Sequence, residues 1–419
     1  MDFSLAEHQL MAQRMVREFA QTEVAPRIRE LDRAQQFDRS ILKKMGDLGI
    51  LGLCVPERYG GAGMDYISLG LACEELEYVD TFLRVVMSVH LGLNSLSLLA
   101  WGTEAQRQKF LVPQARGERI AAYGLTEPAA GSDAVGIRAT AARDGRHYVL
   151  RGEKTWMSLA DAADHFLVFA WTDPDRQKQR DHSGLTAFLV TREMRGVSTS
   201  TIHGKLGIRA GNTGSIVMDD VRVSDDHRLG EEGEGFRIAM FALDQGRYTV
   251  ASGATGLIRA CLDASARYAT ERATFGRPIG EHQLVKEMIA RMARDYEVSR
   301  LLYLRAGWMK NRGLRNTRET SLAKWYATVA SEQAAGDAVE VHGAYGYSDE
   351  YPVERFYRNA KGGVIYEGTR EIHTLLQADY ALGYREDRPT RVTLPPWPFE
   401  DETTQTRKRA NAQTRKQKL

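Results

Sequence analysis

The spacing of apolar residues changes twice along this chain, and each change marks a different kind of element. Residues 1–120 carry helical spacing. Met11, Met15 and Phe19 recur every four residues, and Ser4 with Glu7 fits a capping box, so a first helix is expected, limited by Pro26. A second pattern, Ile41, Leu42, Met45 and Leu48, stops at Gly49. A third run, Ser68 to Ala100, is apolar enough to be buried over much of its surface. Between the second and third, Pro56 to Gly63 has the composition of a loop.

At about Ala121 the texture changes. Asp144-Gly145 lies between Ala139–Ala142 and His147–Leu150 and reads as a hairpin turn. Short runs follow at His165 to Trp171, Leu185 to Val190 and Ser215 to Val223, separated by polar segments rich in Asp, Gly and Pro. Such spacing predicts a compact antiparallel β domain, a small barrel or sandwich. From Gly235 the helical period returns and persists to about Tyr384, with long segments near 236–271, 281–312 and 318–342, as in an antiparallel bundle. The expected fold is mainly α with an inserted β domain. Its parts are a helical domain at 1–120, a β domain at 121–234, a helical bundle at 235–385 and an extended basic tail at 386–419.

Composition narrows the class. Hydrophobic residues at 43 % and charged residues at 27 % fit a soluble globular protein and exclude collagen-like, disulfide-scaffold and wholly disordered chains. The net charge of +2 provides no global field for nucleic acid or membrane. It is uneven, because eight basic and five acidic residues from Glu386 onward leave the body slightly negative. Cys54, Cys73 and Cys261 form no CxxC and no metal-ligand spacing, so a reduced, metal-free intracellular protein is expected. Met1-Asp2-Phe3-Ser4 lacks the features of a signal peptide, and no stretch approaches the roughly 20 apolar residues of a membrane helix. The expected location is cytoplasmic, without membrane insertion.

Three segments are candidates for chemistry. Tyr123-Gly124-Leu125-Thr126-Glu127-Pro128-Ala129-Ala130-Gly131-Ser132-Asp133 can place backbone N–H groups and hydroxyls around a polar ring or phosphate. Trp156-Met157-Ser158 can set an indole against a flat ring, and Glu271 to Gly276, with His282-Gln283, joins two bundle helices. The plain alternatives are a polar loop, a core tryptophan and a glycine-capped helix end.

In order and spacing these segments resemble the acyl-CoA dehydrogenase family of flavoproteins, through T-E-P-x-A-G-S-D, W-x-[ST] and E-R-x-x-F-G. Val341-His342-Gly343-Ala344-Tyr345-Gly346-Tyr347 and Ile365-Tyr366-Glu367-Gly368-Thr369-Arg370-Glu371-Ile372 complete the set, and the resemblance spans about 1–385. It implies a small antiparallel β-barrel, a C-terminal four-helix bundle, a homotetramer and a non-covalent FAD in each subunit. By the same resemblance, Tyr123, Leu125, Thr126, Gly131 and Ser132 would hold the flavin edge and pyrophosphate, with Trp156 and Ser158 flanking the ring. Arg272, Phe275 and Gln283 would meet the dinucleotide across a subunit interface, joined by Gly343, Gly346 and Thr369. Ser132, Asp244, Arg247, Tyr366 and Gly368 would face the acyl-CoA substrate, and an electron-transfer flavoprotein would accept the electrons. Ala129 and Ala344 depart from residues more usual at those positions, and both methyls are expected to be tolerated.

Dehydrogenation of a thioester needs a base at the weakly acidic α-proton, donors at the carbonyl oxygen and a hydride acceptor at the β-carbon. Glu367 is the candidate base, beside the permissive Gly368. In the family pattern its own N–H also polarises the thioester carbonyl. Some members carry the base at the position of Gly246 here, and glycine cannot serve. Asp244 and Arg247 could equally be a helix-surface ion pair.

Arg84 interrupts an apolar helical stretch, and a buried guanidinium needs an anionic partner. The segment resembles the glutaryl-CoA dehydrogenase branch, whose Y-R-S-x-M-S-V carries an arginine for the substrate's distal carboxylate, and Glu77 also matches. Val85 replaces that branch's serine, which leaves room for a changed substrate such as benzylsuccinyl-CoA. The alternatives are snorkelling of Arg84 or pairing with Glu77 or Asp80, which would make it structural and the acyl group neutral. A nucleic-acid-associated flavoprotein of the same fold is a distant third reading, prompted by Arg407-Lys408-Arg409 and Arg415-Lys416-Gln417-Lys418.

Overall fold

The computed structural model describes residues 4–387 and 391–399. The two basic runs of the tail lie outside the described residues. Four N-terminal helices matter most here: Glu7–Phe19, Arg39–Asp47, Tyr66–Val79 and Thr81–Trp101. The first departs from expectation in start and in phase. Ala6, not Ser4, precedes its first turn, and the Ala6 N–H is capped by the Gln9 side chain at 2.9 Å. Its buried face is Ala12, Val16 and Phe19, while Met11 is exposed. Gln13 and Arg17 set that phase by bonding the buried Glu75 at 2.8 and 2.7 Å, which turns Met11 outward and leaves Met15 at the edge of the core. Arg39–Asp47 ends as expected, with Gly49 at φ 70°.

The third apolar run forms two helices divided at Asp80. Its extended backbone stops the first, and its side chain accepts from Phe82 N at 3.0 Å to cap the second. Thr81–Trp101 corrects one expectation: its 21 residues, with mean hydropathy 1.4, are long and apolar enough to cross a membrane. Since 94 % of that apolar window is buried inside the protein, it is a core helix.

Eight strands of one sheet follow: β1 (Ala121–Gly124), β2 (Thr140–Asp144), β3 (His147–Ser158), β4 (His165–Trp171), β5 (Leu185–Thr191), β6 (Val197–Thr201), β7 (Thr213–Ser224) and β8 (Arg228–Leu229). The sheet runs β6-β7-β3-β2-β4-β5-β8, with β1 beside β4. The expected hairpin joins β2 and β3, with Gly145 at φ 60°. The sheet is not wholly antiparallel, because β1 and β2 both meet β4 in parallel. β1 and β2 therefore run the same way along one edge of β4, and residues 125–139, the candidate loop, are the excursion between them.

The C-terminal helices are Gly235–Glu271, Gln283–Asn311, Thr317–His342, Val353–Gly363 and Arg370–Ala381. Two glycines let the first of them lie close to the N-terminal part. A Cβ on Gly253 would come within 2.6 Å of Arg84 Cγ, and one on Gly256 within 2.8 Å of the Glu74 carbonyl carbon. Buried Glu74 and Glu75 tie the layers together, through Tyr303 to Glu74 at 2.5 Å and Arg259 to Glu75 at 2.7 Å. Toward the sheet, His90 Nδ1 accepts from Ala121 N at 3.0 Å, and Asn94 donates to Ala122 O at 2.8 Å. These bonds hold β1 where the candidate loop begins.

Candidate active site

Glu367 sits on the turn between Val353–Gly363 and Arg370–Ala381, with left-handed backbone at φ 53°. That conformation costs a non-glycine residue about 1 to 3 kcal/mol and persists only when the surroundings impose it. Three groups do so. Lys324 Nζ donates to Gly368 O at 2.6 Å, Arg247 Nε donates to Glu367 O at 3.1 Å, and Thr369 Oγ1 caps the next helix at Ile372 N, 3.3 Å away. Buried His373 packs beneath Gly368, its Nδ1 bonded to Ser321 Oγ at 2.8 Å.

The Glu367 carboxyl points inward. Oε1 accepts from Ser88 Oγ at 2.6 Å, while Oε2 is buried without a hydrogen-bond partner. Desolvation raises its pKa, against the lowering influence of Ser88, Arg84, Lys324 and Arg247. Burial also lowers Lys324 to about 7 and His373 to about 2, so that imidazole is neutral at ordinary pH. Ser88 Oγ lies 2.8 Å from Thr249 Oγ1, which lies 2.7 Å from Gly246 O. With Glu367 ionised, the hydroxyl protons point toward it. Once it takes a proton, each hydroxyl can turn, and the chain ends on the Gly246 carbonyl.

Gly246 has a second part in this geometry. A Cβ there would lie 2.8 Å from Glu367 Cδ and closer still to Oε2, so the missing side chain is the space the carboxyl uses. Arg84 is 1 % exposed, which excludes snorkelling. Its Nε donates to Glu77 at 2.6 Å, and Nη2 donates to the Tyr366 hydroxyl. The expected alternative of a Glu77 pair is therefore present. So is the helix ion pair, with Arg247 Nη1 at 3.4 Å from Asp244 Oδ1.

The predicted residues fall into three groups. Arg84, Asp244, Arg247, Tyr366, Glu367 and Gly368 are linked by the contacts above. A second group forms where buried Lys154 bonds Glu127 at 2.6 Å and Thr155 N bonds Thr126 O at 2.9 Å, which draws Leu125 and Thr126 against β3 beside Trp156 and Ser158. Tyr123 is buried at the end of β1, while Gly131 and Ser132 are exposed. The third group, Arg272, Phe275, Gln283, Gly343 and Gly346, lies at the other end of the bundle, where Tyr268 stacks on His342 at 4.3 Å. Along Thr317–His342, the eighteen steps from Lys324 to His342 span about 27 Å. Sequence reading missed Ser88, Thr249, Lys324 and His373 as site residues. Their only signal was a polar side chain on an otherwise apolar helix face.

The residues present fit a flavin dinucleotide. Trp156 is 62 % exposed with a left-handed backbone, so its indole stands clear of the sheet beside the Leu125–Glu127 loop. Phe275 is 95 % exposed, and both Ala129 and Ala344 turn to the surface. Large aromatic faces left open beside hydroxyl-bearing loops suit a planar ring system. Among the described residues, no group of acidic, cysteine and histidine side chains could hold a metal.

Comparison with known proteins agrees with this geometry. The acyl-CoA dehydrogenase N-terminal, middle and C-terminal domain models match residues 6–118, 122–221 and 233–382. A short-chain specific acyl-CoA dehydrogenase of Clostridium acetobutylicum is 39 % identical, over 90 % of this chain and 98 % of its own. A glutaryl-CoA dehydrogenase of Desulfococcus multivorans is 37 % identical, over 92 % and 99 %. Among solved structures, a glutaryl-CoA dehydrogenase in complex with glutaryl-CoA has a TM-score of 0.88 at 37 % identity, covering 92 % of this chain and 98 % of that one. A chain solved with the electron transferring flavoprotein of Acidaminococcus fermentans as its subject reaches 0.89 at 39 % identity, covering 91 % and 100 %. A Bacillus anthracis acyl-CoA dehydrogenase complexed with FAD reaches 0.84 at 33 % identity, covering 91 % and 67 %. The chain belongs to the acyl-CoA dehydrogenase family, and it is an FAD-dependent oxidoreductase with that family's three-domain fold.

Proposed function

We propose that this protein dehydrogenates an acyl-CoA thioester between Cα and Cβ, with Glu367 as base, and that its acyl group carries a second carboxylate, as in glutaryl-CoA or benzylsuccinyl-CoA. The observation that carries the first part is the buried, partnerless Oε2 of Glu367. A carboxylate stripped of water is a stronger base, and Oε2 is the oxygen free to take the α-proton. Ser88 orients the other oxygen, and Arg247 and Lys324 hold the turn so that the carboxyl does not drift. The Glu367 N–H is our candidate donor to the thioester carbonyl. Bound FAD supplies the hydride acceptor that no side chain can provide.

The second part rests on Arg84, a fully buried guanidinium bonded to Tyr366 beside the base. Glu77 already balances its charge, so a ligand carboxylate there needs one more positive charge. Lys324, whose Nζ bonds the Gly368 carbonyl on the same turn as Tyr366, is the cation at hand to supply it. The Arg84–Glu77 pair also favours a second reading, a neutral short acyl group with Arg84 structural. Anaerobic mixing with a panel of acyl-CoAs, followed by flavin bleaching, separates the two. Arg84→Met should weaken a dicarboxylyl-CoA by roughly 2 to 5 kcal/mol and spare a monocarboxylic one. Equal losses on both, with a lowered Tm, would establish the neutral reading.

The reading extends to a homotetramer with an electron-transfer flavoprotein as acceptor. The separation of Arg272, Phe275 and Gln283 from Glu367 within one chain supports cofactor sites completed by a partner subunit. Sedimentation of the yellow holoprotein would refute this by giving a monomer.

A further inference from the structure

The chain continues past its match to two of the solved relatives. It covers 98 to 100 % of the glutaryl-CoA dehydrogenase structure and of the Acidaminococcus chain with 91 or 92 % of its own length, and the family match ends at residue 382. Beyond the last helix, residues 391–399 lie back across the body. Arg391 makes two bonds to Glu234, at 2.8 and 2.5 Å, and its guanidinium lies 5.2 Å from the Trp101 ring centre. Pro395 O accepts from Tyr66 Oη at 2.8 Å, Trp397 N donates to Asn311 O at 2.8 Å, and the Trp397 ring stacks on His8 at 4.9 Å. The segment is therefore pinned at both ends, to four separate helices and to the N-cap of a fifth.

Between this segment and the long helix Gly235–Glu271 lies a cavity of about 370 Å³. Val392 and Leu394 line one side, and Phe241, Asp244 and Gln245 the other, with Thr317 at the turn between helices. One ion pair separates it from the candidate base, since Asp244 meets Arg247 and Arg247 bonds the Glu367 carbonyl. The charges inside are already committed. Lys310 Nζ donates to Gln245 at 2.6 Å, Thr317 donates to Asp244 Oδ2 at 2.6 Å, and the lining Arg315 pairs with Asp387 at 3.2 Å. What remains is apolar surface interrupted by amide, hydroxyl and carboxylate groups. Such a lining suits methylenes interrupted by amides better than a free ion.

We propose that residues 391–394 form a wall of the substrate passage, gripping the amide-bearing arm of a CoA thioester against Phe241, Asp244 and Gln245. This rests on the acyl-CoA reading of the Glu367 site. The wall touches the arm and not the reacting carbons, so it acts on substrate affinity and leaves turnover alone.

The test compares the full chain with Arg391→Ala, which releases the anchor on Glu234, and with a chain ending at residue 386. Flavin bleaching is followed with an acyl-CoA and with the same acyl group on N-acetylcysteamine, which lacks most of the arm. Binding of CoA itself is measured by calorimetry, independently of turnover. In both variants KM for the acyl-CoA and Kd for CoA should rise roughly tenfold, with kcat and the N-acetylcysteamine thioester unaffected. Unchanged values overturn the proposal. So does tighter CoA binding, which would make the segment an occupant of the passage, and so do equal losses on both thioesters. If no acyl-CoA bleaches the wild type, the reading of the base fails, while CoA calorimetry still tests the wall. Should the shortened chain not fold, Arg391→Ala alone decides.

Discussion

Gly246→Ala separates activity from stability at a single atom. Gly246 lies within the helix Gly235–Glu271, and its φ is not among the left-handed ones, so alanine meets no backbone strain. Helix propensity favours the change by about 0.5 to 1 kcal/mol. The added methyl, however, would sit 2.8 Å from Glu367 Cδ and 2.7 Å from Leu93 Cδ2. Carbon atoms settle near 3.5 to 4.0 Å, so the carboxyl must retreat by roughly 1 Å. A displacement of that size at a reacting group costs about 10²-fold in rate. Stopped-flow bleaching of the bound flavin by substrate reads the chemical step, and the melting curve of the holoprotein reads stability. The expected outcome is a Tm at or within a few degrees of wild type, with reduction about a hundredfold slower. Reduction at the wild-type rate would mean that the base does not occupy the space beside Gly246.

Glu367→Gln keeps the shape and removes the base, so flavin should stay bound while its reduction falls by about 10² to 10⁴; reduction near the wild-type rate, read in the same stopped-flow assay, would reassign the base. Lys324→Met removes a cation that lowers the Glu367 pKa, so the acidic limb of the kcat/KM profile should move to higher pH, and an unmoved limb would make Lys324 purely structural. Burial holds His90 and His165 at about 4, below the usual histidine value, so the unfolded chain binds more protons. Their contribution, on the order of 3 kcal/mol each, is complete above about pH 6.5 and is lost as pH falls toward 4. In urea unfolding, His90→Gln should lose stability less steeply than wild type between pH 7.5 and 5, and parallel slopes would contradict the assignment.

The order of helices, β domain and bundle was legible in the sequence because each element buries one face, and burial writes its own period into the chain. The hairpin at Gly145, the stop at Gly49 and the three long bundle segments follow from that local rule. The candidate base came instead from the family resemblance that its neighbours in sequence carried. Local pattern failed where a distant partner decided the outcome. Met11 faces outward because Glu75, over 60 residues away, claims Gln13 from the helix's other side. Only the tertiary structure could show that Arg84 already has its anion in Glu77, or that Ser88 touches Glu367 across 279 positions. Gly246 is the sharpest case. In the sequence it was a position where no base can stand, and in the folded chain it is the space the Glu367 carboxyl occupies. The pKa values of Glu367, Lys324 and His373 belong to the same class, since desolvation depends on what other segments pack around a group. A one-dimensional pattern records which side chains prefer burial; which of them end up together, and in what charge state, is decided by long-range packing.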